Sequence, residues 1–176
     1  MHKDATRQGR YLSLILRHKP EAGNLTLDKN GWAEIKSVTD AMRISRQELE
    51  EIVAWDDKGR YEFSNDKKKI RARQGHSINV DVELKKFVPN SKLYHGTIWT
   101  SVEKIMKDGL KPMSRLYVHL SKDTKTATKV GSRRGEPVIL TIDAKKAHDD
   151  GIEFFVSNND VILTKHIPTK YITLEK

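Results

Sequence analysis

Apolar residues near the start of the chain recur at the spacing of a helix. The stripe lies within residues 4–18 and consists of Tyr11, Leu12, Ile15 and Leu16. Because positions three and four apart share one face of a helix, the stripe predicts an amphipathic helix over this range. Pro20 cannot continue helical hydrogen bonding. We therefore expect the helix to end just before it.

Two more helical patterns follow in the first half of the chain. One begins after the turn signal Asn30-Gly31 and carries Ile35, Val38 and Met42. The next begins at Ser45, where Glu48 three residues later completes a capping box. The pattern therefore predicts three short helices in this region.

A β-hairpin is predicted after the third helix. Residues 60–64 and 69–73 alternate in polarity on either side of the Asn65-Asp66 turn signal. Three helices followed by a hairpin is the order of a winged helix, a module that often binds nucleic acid, although a fold alone does not prove a function.

The second half of the chain has shorter elements. The pattern predicts strands at residues 92–95, 116–121, 137–142, 152–156 and 171–174, and helices at residues 101–107 and 124–130. We expect an α+β lobe with a mixed sheet, because these helices are too short and irregular for repeated βαβ units. Pro89-Asn90-Ser91 marks the boundary, which gives two lobes, residues 1–88 and 89–176.

Composition narrows the class of protein. The 176 residues are 36% hydrophobic and 32% charged, which is typical of a globular chain. No apolar run approaches the roughly 20 residues of a membrane helix, and the polar start MHKDATRQGR does not read as a secretory signal. We expect a cytoplasmic protein without a membrane span.

Several chemistries are excluded or disfavoured by residues that are missing. The chain has no cysteine, which excludes disulfides, thiolate metal sites and cysteine nucleophiles. Its seven histidines form no HExxH pattern, and neither GxGxxG nor a P-loop is present. We predict that no metal is bound and that neither a dinucleotide fold of the Rossmann type nor a P-loop occurs.

The formal charge of +9 favours a polyanionic partner, with a solvated lysine-rich surface as the alternative. Much of the excess lies in two groups: Lys67, Lys68, Lys69, Arg71 and Arg73, and then Lys122, Lys125, Lys129, Arg133 and Arg134. This clustering favours nucleic acid as the partner, because lysine and arginine neutralise backbone phosphates.

Four basic side chains in three separate motifs are candidates for one phosphate site. They are Arg17 and His18 in LRHKP, Arg71 in IRARQGHS and Arg133 in VGSRRGEP. A guanidinium presents a planar fork of donors that matches phosphate oxygens. The alternatives are solvated surface arginines, and Arg134 in place of Arg133.

Polar residues at predicted strand ends are candidates for binding a nucleotide. In LYHGT, Gly96 follows His95 and would let a ligand approach the backbone closely, although a turn glycine beside an interior histidine also explains the motif. YVHLS places polar residues on one face of a strand, and QGHS follows the basic hairpin strand. The polar residues of these two motifs are Tyr117, His119 and Ser121, and Gln74, His76 and Ser77.

Seven short motifs, taken in order, resemble the NAD-dependent RNA 2′-phosphotransferases, which are known from removal of the splice-junction 2′-phosphate in tRNA splicing. The motifs are LSLILRHKP, GWAEI, IRARQGHS, LYHGT, GLKPM, YVHLS and VGSRRGEPVIL. They span nearly the whole chain. The resemblance implies an N-terminal winged-helix lobe that binds RNA and a C-terminal lobe like that of ADP-ribosyltransferases that binds NAD.

The resemblance also implies a reaction and its residues. The RNA 2′-phosphate displaces nicotinamide from NAD, and the ADP-ribosylated phosphate then yields 2′-hydroxyl RNA and ADP-ribose 1″,2″-cyclic phosphate. The catalytic set would be Arg17, His18, Arg71 and Arg133. The NAD-binding set would be His76, Ser77, His95, Gly96, Thr97 and Ser121. We expect a monomer whose partner is a tRNA-like RNA bearing a 2′-phosphate.

Two other functions fit parts of the same pattern. An ADP-ribosyltransferase acting on nucleic-acid ends or on protein would stop after the first step, and protein-modifying sites of that kind rely on a catalytic glutamate, for which Glu153 is the candidate. A non-catalytic RNA-binding module would keep the winged helix and lose turnover.

Overall fold

The computed structural model describes residues 3–174, with side chains from residue 7 onward. The chain divides into two compact units between Glu83 and Leu84, and each unit has its own hydrophobic core. The fold is α+β, as predicted. Within the described range, no helix is long and apolar enough to cross a membrane.

The helices of the first unit match the predicted ones. They are α1 (Lys3–Arg17), α2 (Ile35–Met42) and α3 (Arg46–Ala54). Ser45 caps α3 by accepting the backbone N–H of Glu48, whose carboxylate accepts the backbone N–H of Ser45 in return, so the predicted capping box is confirmed. Pro20 opens a short 3₁₀ helix, Pro20–Gly23, after α1 has ended.

The first unit also contains a small antiparallel sheet. Its strands are β1 (Ala33–Glu34), β2 (Tyr61–Phe63) and β3 (Lys69–Ala72), in the order β1-β3-β2. The hairpin of β2 and β3 is confirmed, and β1 is a two-residue strand that the pattern did not indicate. Leu12, Leu16, Leu49 and Ile70 are fully buried where the helices pack on this sheet.

The second unit has two sheets. Its strands are β4 (Lys85–Phe87), β5 (Leu93–Ile98), β6 (Val118–Leu120), β7 (Pro137–Ile142), β8 (Phe154–Val156), β9 (Ile162–Thr164) and β10 (Ile172–Leu174). Its helices are α4 (Trp99–Asp108), α5 (Thr124–Gly131) and α6 (Ala144–Asp149). The sheets run β10-β7-β5 and β4-β8-β9-β6, and paired backbone hydrogen bonds between Tyr94 and Ser121 link them.

The expectation of a mixed sheet is wrong. Every strand pair among the described residues is antiparallel, and two sheets replace the expected one. Alternation of polarity shows which face of a strand is buried but not the direction of its neighbour. The predicted first lobe also extended through residue 88, whereas Lys85–Phe87 forms β4 and pairs with β8 in the second unit.

Candidate functional site

Two arginines and a histidine are buried in the first unit. Arg17 is the last residue of α1, and Arg71 lies on β3. Each of these two residues is only 5% exposed. His76, in the loop after β3, is 3% exposed. Because an uncompensated charge is costly to bury, each buried cation must be held by specific partners.

Arg71 is held from several sides. Its Nε donates to Glu62 at 2.7 Å, and its Nη1 donates to the carboxylate of Glu83 at 2.9 Å and to the carbonyl of Asn30 at 3.3 Å. The guanidinium also lies 4.3 Å from the centroid of the Trp32 ring, which is a cation–π contact. These contacts fix the plane of the Arg71 guanidinium group.

Arg17 lies beside the loop that follows β3. Its guanidinium is 5.8 Å from the ring centroid of Tyr61, and a Cβ on Gly75 would stand 3.4 Å from its Nη1. Gly75 has a φ of +88°, a conformation that favours glycine. The turn conformation therefore favours glycine at this position, whereas a Cβ would make only an ordinary van der Waals contact with the guanidinium.

The pKa of His76 shows that the first-unit cations are neighbours. Burial, followed by the positive charges of Arg17, His18 and Arg71, lowers this pKa from 6.5 to about 4. The imidazole of His76 is therefore neutral at physiological pH. Three of the four predicted phosphate residues thus act on one histidine.

The QGHS loop is attached to the end of α1. The backbone N–H of Ser77 donates to the carbonyl of Arg17 at 3.0 Å, and the Ser77 hydroxyl is hydrogen-bonded to Nδ1 of His18 at 2.9 Å. These bonds join residues that lie about sixty positions apart in the sequence and hold both motifs in one place.

The free energy of unfolding should depend on pH through His76. Between about pH 6.5 and pH 4 the unfolded chain binds a proton at this residue and the folded chain does not, so stability falls as the pH falls. At about 1.4 kcal/mol per pKa unit, the loss between pH 7 and pH 5 should be about 2 kcal/mol. Urea unfolding of wild type and His76→Gln at both pH values measures it. If the stability of both proteins depends on pH to the same extent, His76 is not the cause of the loss.

In the second unit, His95 lies on β5 with one ring nitrogen engaged. Its Nδ1 donates to the carbonyl of His119 at 3.0 Å, so in the neutral ring Nε2 is left as an acceptor. Burial lowers the pKa of His95, and the charge of Arg134 lowers it further. His95 is therefore suited to accept a hydrogen bond, for example from a sugar hydroxyl.

The structure corrects the reason given for Gly96. β5 continues through Gly96 instead of ending there, and a Cβ at this position would stand 1.8 Å from the carbonyl oxygen of Ala127 and 3.0 Å from the backbone nitrogen of Gly131. The space beside Gly96 is therefore filled by α5 and not left open for a ligand. Binding of NAD by its backbone groups stays a prediction.

The remaining second-unit candidates lie near β5. Thr97 is the next residue of that strand, and Ser121 exchanges two 2.8 Å backbone hydrogen bonds with Tyr94. Arg133 and Arg134 are both exposed in the turn between α5 and β7. Of the two, Arg134 is the one whose charge acts on His95.

The candidate residues thus form two groups, one in each unit. The first contains Arg17, His18, Arg71, His76 and Ser77, and the second contains His95, Gly96, Thr97 and Ser121, with Arg133 in the turn after α5. Sequence reasoning missed three partners of Arg71, namely Trp32, Glu62 and Glu83. Two of them had a signal, because Trp32 lies in the GWAEI motif and Glu62 lies opposite Arg71 in the predicted hairpin. Among the described residues, no cluster of three or more histidines and carboxylates could hold a metal ion.

Comparison with known proteins gives a consistent match. Residues 3–166 match the family RNA 2′-phosphotransferase, Tpt1 / KptA. A protein of Flavobacterium johnsoniae, named probable RNA 2′-phosphotransferase, is 48% identical over 168 residues, which cover 93% of this chain and 92% of the relative. A protein of the same name from Fusobacterium nucleatum is 49% identical, and the match covers 93% of this chain and 95% of that protein. Another, from Hahella chejuensis, is 46% identical, and the match covers 99% of this chain and 96% of that protein.

Proposed function

Because this chain belongs to the RNA 2′-phosphotransferase family, we propose that it removes an internal 2′-phosphate from RNA by transferring it to NAD. NAD supplies the electrophile and the acceptor: the 2′-phosphate displaces nicotinamide from C1″, and the ribose 2″-hydroxyl then takes the phosphoryl group, leaving 2′-hydroxyl RNA and ADP-ribose 1″,2″-cyclic phosphate.

The observation that carries the proposal is the buried cationic group of the first unit. Arg17 and Arg71 are each 5% exposed, and their charges act on the same imidazole, that of His76. A phosphate is the ligand that two fixed guanidinium groups match best, because its oxygens accept charge-assisted hydrogen bonds from them.

We propose a role for each cation from the charge that it carries. Arg17 and Arg71 orient the phosphate for attack, and positioning of this kind contributes several kcal/mol to a rate. Arg133, together with Arg71, stabilises the charge that grows on the phosphate in the second step. His18, which is hydrogen-bonded to Ser77, donates a hydrogen bond or a proton to the phosphate.

The residues of the second unit fit NAD as a hydrogen-bonding ligand. His95 presents Nε2 as an acceptor because Nδ1 is engaged by His119. Thr97 lies on β5 and Ser121 directly follows β6; both offer hydroxyl groups, and Gly96 offers its backbone. We propose that this unit is a lobe like that of ADP-ribosyltransferases and that it holds NAD.

We further propose that the first unit is a winged helix that binds RNA through a surface other than its recognition helix. The order of three helices and a hairpin supports the fold. However, α3, which would be the recognition helix, carries three glutamates (Glu48, Glu50 and Glu51) against one arginine. Because carboxylates repel backbone phosphates, RNA should instead meet the hairpin, where Lys67–Lys69 cluster, and the end of α1.

The test is direct. The protein is incubated with NAD and an oligoribonucleotide carrying one internal 2′-phosphate, and the products are separated by chromatography. We expect 2′-hydroxyl RNA, nicotinamide and the cyclic phosphate in equal amounts, and no reaction without NAD. Folded protein that releases none of the three would overturn the proposal, and inorganic phosphate as the product would overturn the role of NAD.

Arrest at an ADP-ribosylated product would instead indicate the alternative transferase. The protein-modifying form of that alternative relies on Glu153, which is exposed and paired with Lys86 at 2.9 Å. A catalytic glutamate is normally held in a cleft with a perturbed environment, so the surface position of Glu153 does not favour it.

A further inference from the structure

Trp99 is an exposed aromatic residue beside the candidate residues of the second unit. It is the first residue of α4 and directly follows β5, which carries His95, Gly96 and Thr97. Trp99 is 60% exposed, although tryptophan is usually well buried. More than half of the residue is therefore accessible to a ligand from outside the unit.

The arginine turn lies next to this tryptophan. Ile98, the residue before Trp99, is paired with Pro137 in the register of β5 and β7, and a Cβ on Gly135 would stand 3.7 Å from the Ile98 side chain. Consecutive Cα atoms are about 3.8 Å apart. Ile98 and Gly135 therefore lie close together, and Trp99 and Arg134 are each one residue along the chain from this pair, while Arg133 is two residues from it.

The C-terminal end of α5 adds to the same surface. A Cβ on Gly131 would stand 2.9 Å from the carbonyl oxygen of Thr97, so the helix ends against the strand that leads to Trp99. α5 carries exposed Lys125 and Lys129. The turn from residue 132 to residue 136 contributes two arginines and Glu136, and α4 carries exposed Glu103 one turn after Trp99, so the exposed charges of these segments are mixed with basic residues in excess.

We propose that Trp99 is a stacking platform for an unpaired base of the RNA substrate, next to the nucleotide that carries the 2′-phosphate. The inference rests on the proposed function, because it takes Arg133 as a ligand of that phosphate. Proteins bind single strands by combining basic side chains that follow the backbone with an aromatic ring that stacks on a base.

A protein partner fits this surface less well. A stable protein interface buries more than about 1,000 Å², and its centre is depleted of charged residues. Trp99 is one exposed ring between segments that carry charges of both signs, and the exposed Val130 of α5 adds little to it, which is too little apolar area for such a centre. The same combination suits one base with its adjoining phosphates.

Trp99→Ala should therefore weaken RNA binding without affecting the chemistry. Loss of one stacked base costs about 1–3 kcal/mol, which is roughly a five- to 150-fold rise in the KM for RNA. The kcat and the KM for NAD should not change, and Trp99→Tyr should restore most of the affinity. The matched control is Trp55→Ala, which removes a tryptophan that is 63% exposed at the end of the acidic α3.

An abasic substrate separates stacking from a structural effect. In a direct titration without NAD, wild type should bind a 2′-phosphorylated oligonucleotide less tightly when the neighbouring base is removed. The Trp99→Ala variant should show no further loss. If the variant loses as much affinity as wild type on removal of the base, or if Trp99→Ala behaves like Trp55→Ala, the stacking proposal fails.

The two proposals can fail separately. An active wild type with an unaltered Trp99→Ala variant overturns stacking alone. A wild type that binds the oligonucleotide in a Trp99-dependent way but releases no nicotinamide overturns the proposed reaction. A variant that changes its sedimentation coefficient instead of its RNA affinity would assign Trp99 to contact between copies of the chain and would also overturn stacking.

Discussion

Arg71→Ala should reduce turnover of a 2′-phosphorylated RNA by roughly a hundred- to a thousandfold, which is the usual cost of removing one preorganised donor from a transition state. The wild-type fork is held in one plane by Glu62, Glu83 and the Trp32 ring, so it needs no reorganisation when charge grows on the phosphate. Arg71→Lys should recover only part of the loss, because one ammonium group cannot reach Glu62, Glu83 and the phosphate with the geometry of a planar guanidinium.

The loss should be larger in the second step than in the first. Charge builds on the phosphate during transesterification, so the cation contributes more there than when the phosphate acts as nucleophile. We expect ADP-ribosylated RNA to accumulate in Arg71→Ala and, in the same way, in Arg133→Ala. Single-turnover reactions with labelled RNA measure both steps. Loss of rate with no accumulated intermediate in either variant would contradict this division.

Arg73→Ala is the matched control for Arg71→Ala. Arg73 follows the same strand and shares Glu62 as a partner, at 3.2 Å, but its other contact is the carbonyl of Gly59. Its removal should leave turnover within a few-fold of wild type. If Arg73→Ala is as slow as Arg71→Ala, the loss reflects disruption of the Glu62 network and not a contact with phosphate.

The elements that the sequence predicted well depend on short-range chemistry. The capping box of Ser45 and Glu48 and the hairpin of β2 and β3 involve residues close together in the chain, so their signals lie within a few positions. α6 and β9 were missed because their apolar runs are short, and such runs do not distinguish helix from strand.

The candidate site was predictable by residue type but not by contact. The basic residues could be selected because phosphate chemistry needs them, whereas the partners that hold them are distant in sequence. Glu62 is an exception, because it lies opposite Arg71 in the predicted hairpin, but Arg71 also pairs with Glu83 at the end of the unit, and His18 is hydrogen-bonded to Ser77. Only the tertiary fold brings such residues together, and one sequence carries no signal for it.

Gly96 illustrates how the same glycine can be explained by two different neighbours. From the sequence, the missing side chain left room for a ligand, whereas in the structure α5 takes that room. The atoms that a Cβ would meet are the carbonyl oxygen and carbon of Ala127, at 1.8 and 2.7 Å, and the nitrogen of Gly131 at 3.0 Å. All three are backbone atoms, so no rotamer change relieves the overlap and the helix itself must move.

Gly96→Ala should therefore destabilise the protein by about 3 kcal/mol or more, which is the upper range for overpacking, and lower the unfolding temperature by roughly 6 to 12 °C. Gly9→Ala is the control, because nothing lies within 4 Å of its Cβ and alanine is favoured over glycine in α1 by about 1 kcal/mol. Thermal unfolding followed by circular dichroism compares them. A Gly96→Ala variant that unfolds like wild type but has a raised KM for NAD would show that ligand approach, and not helix packing, requires the glycine.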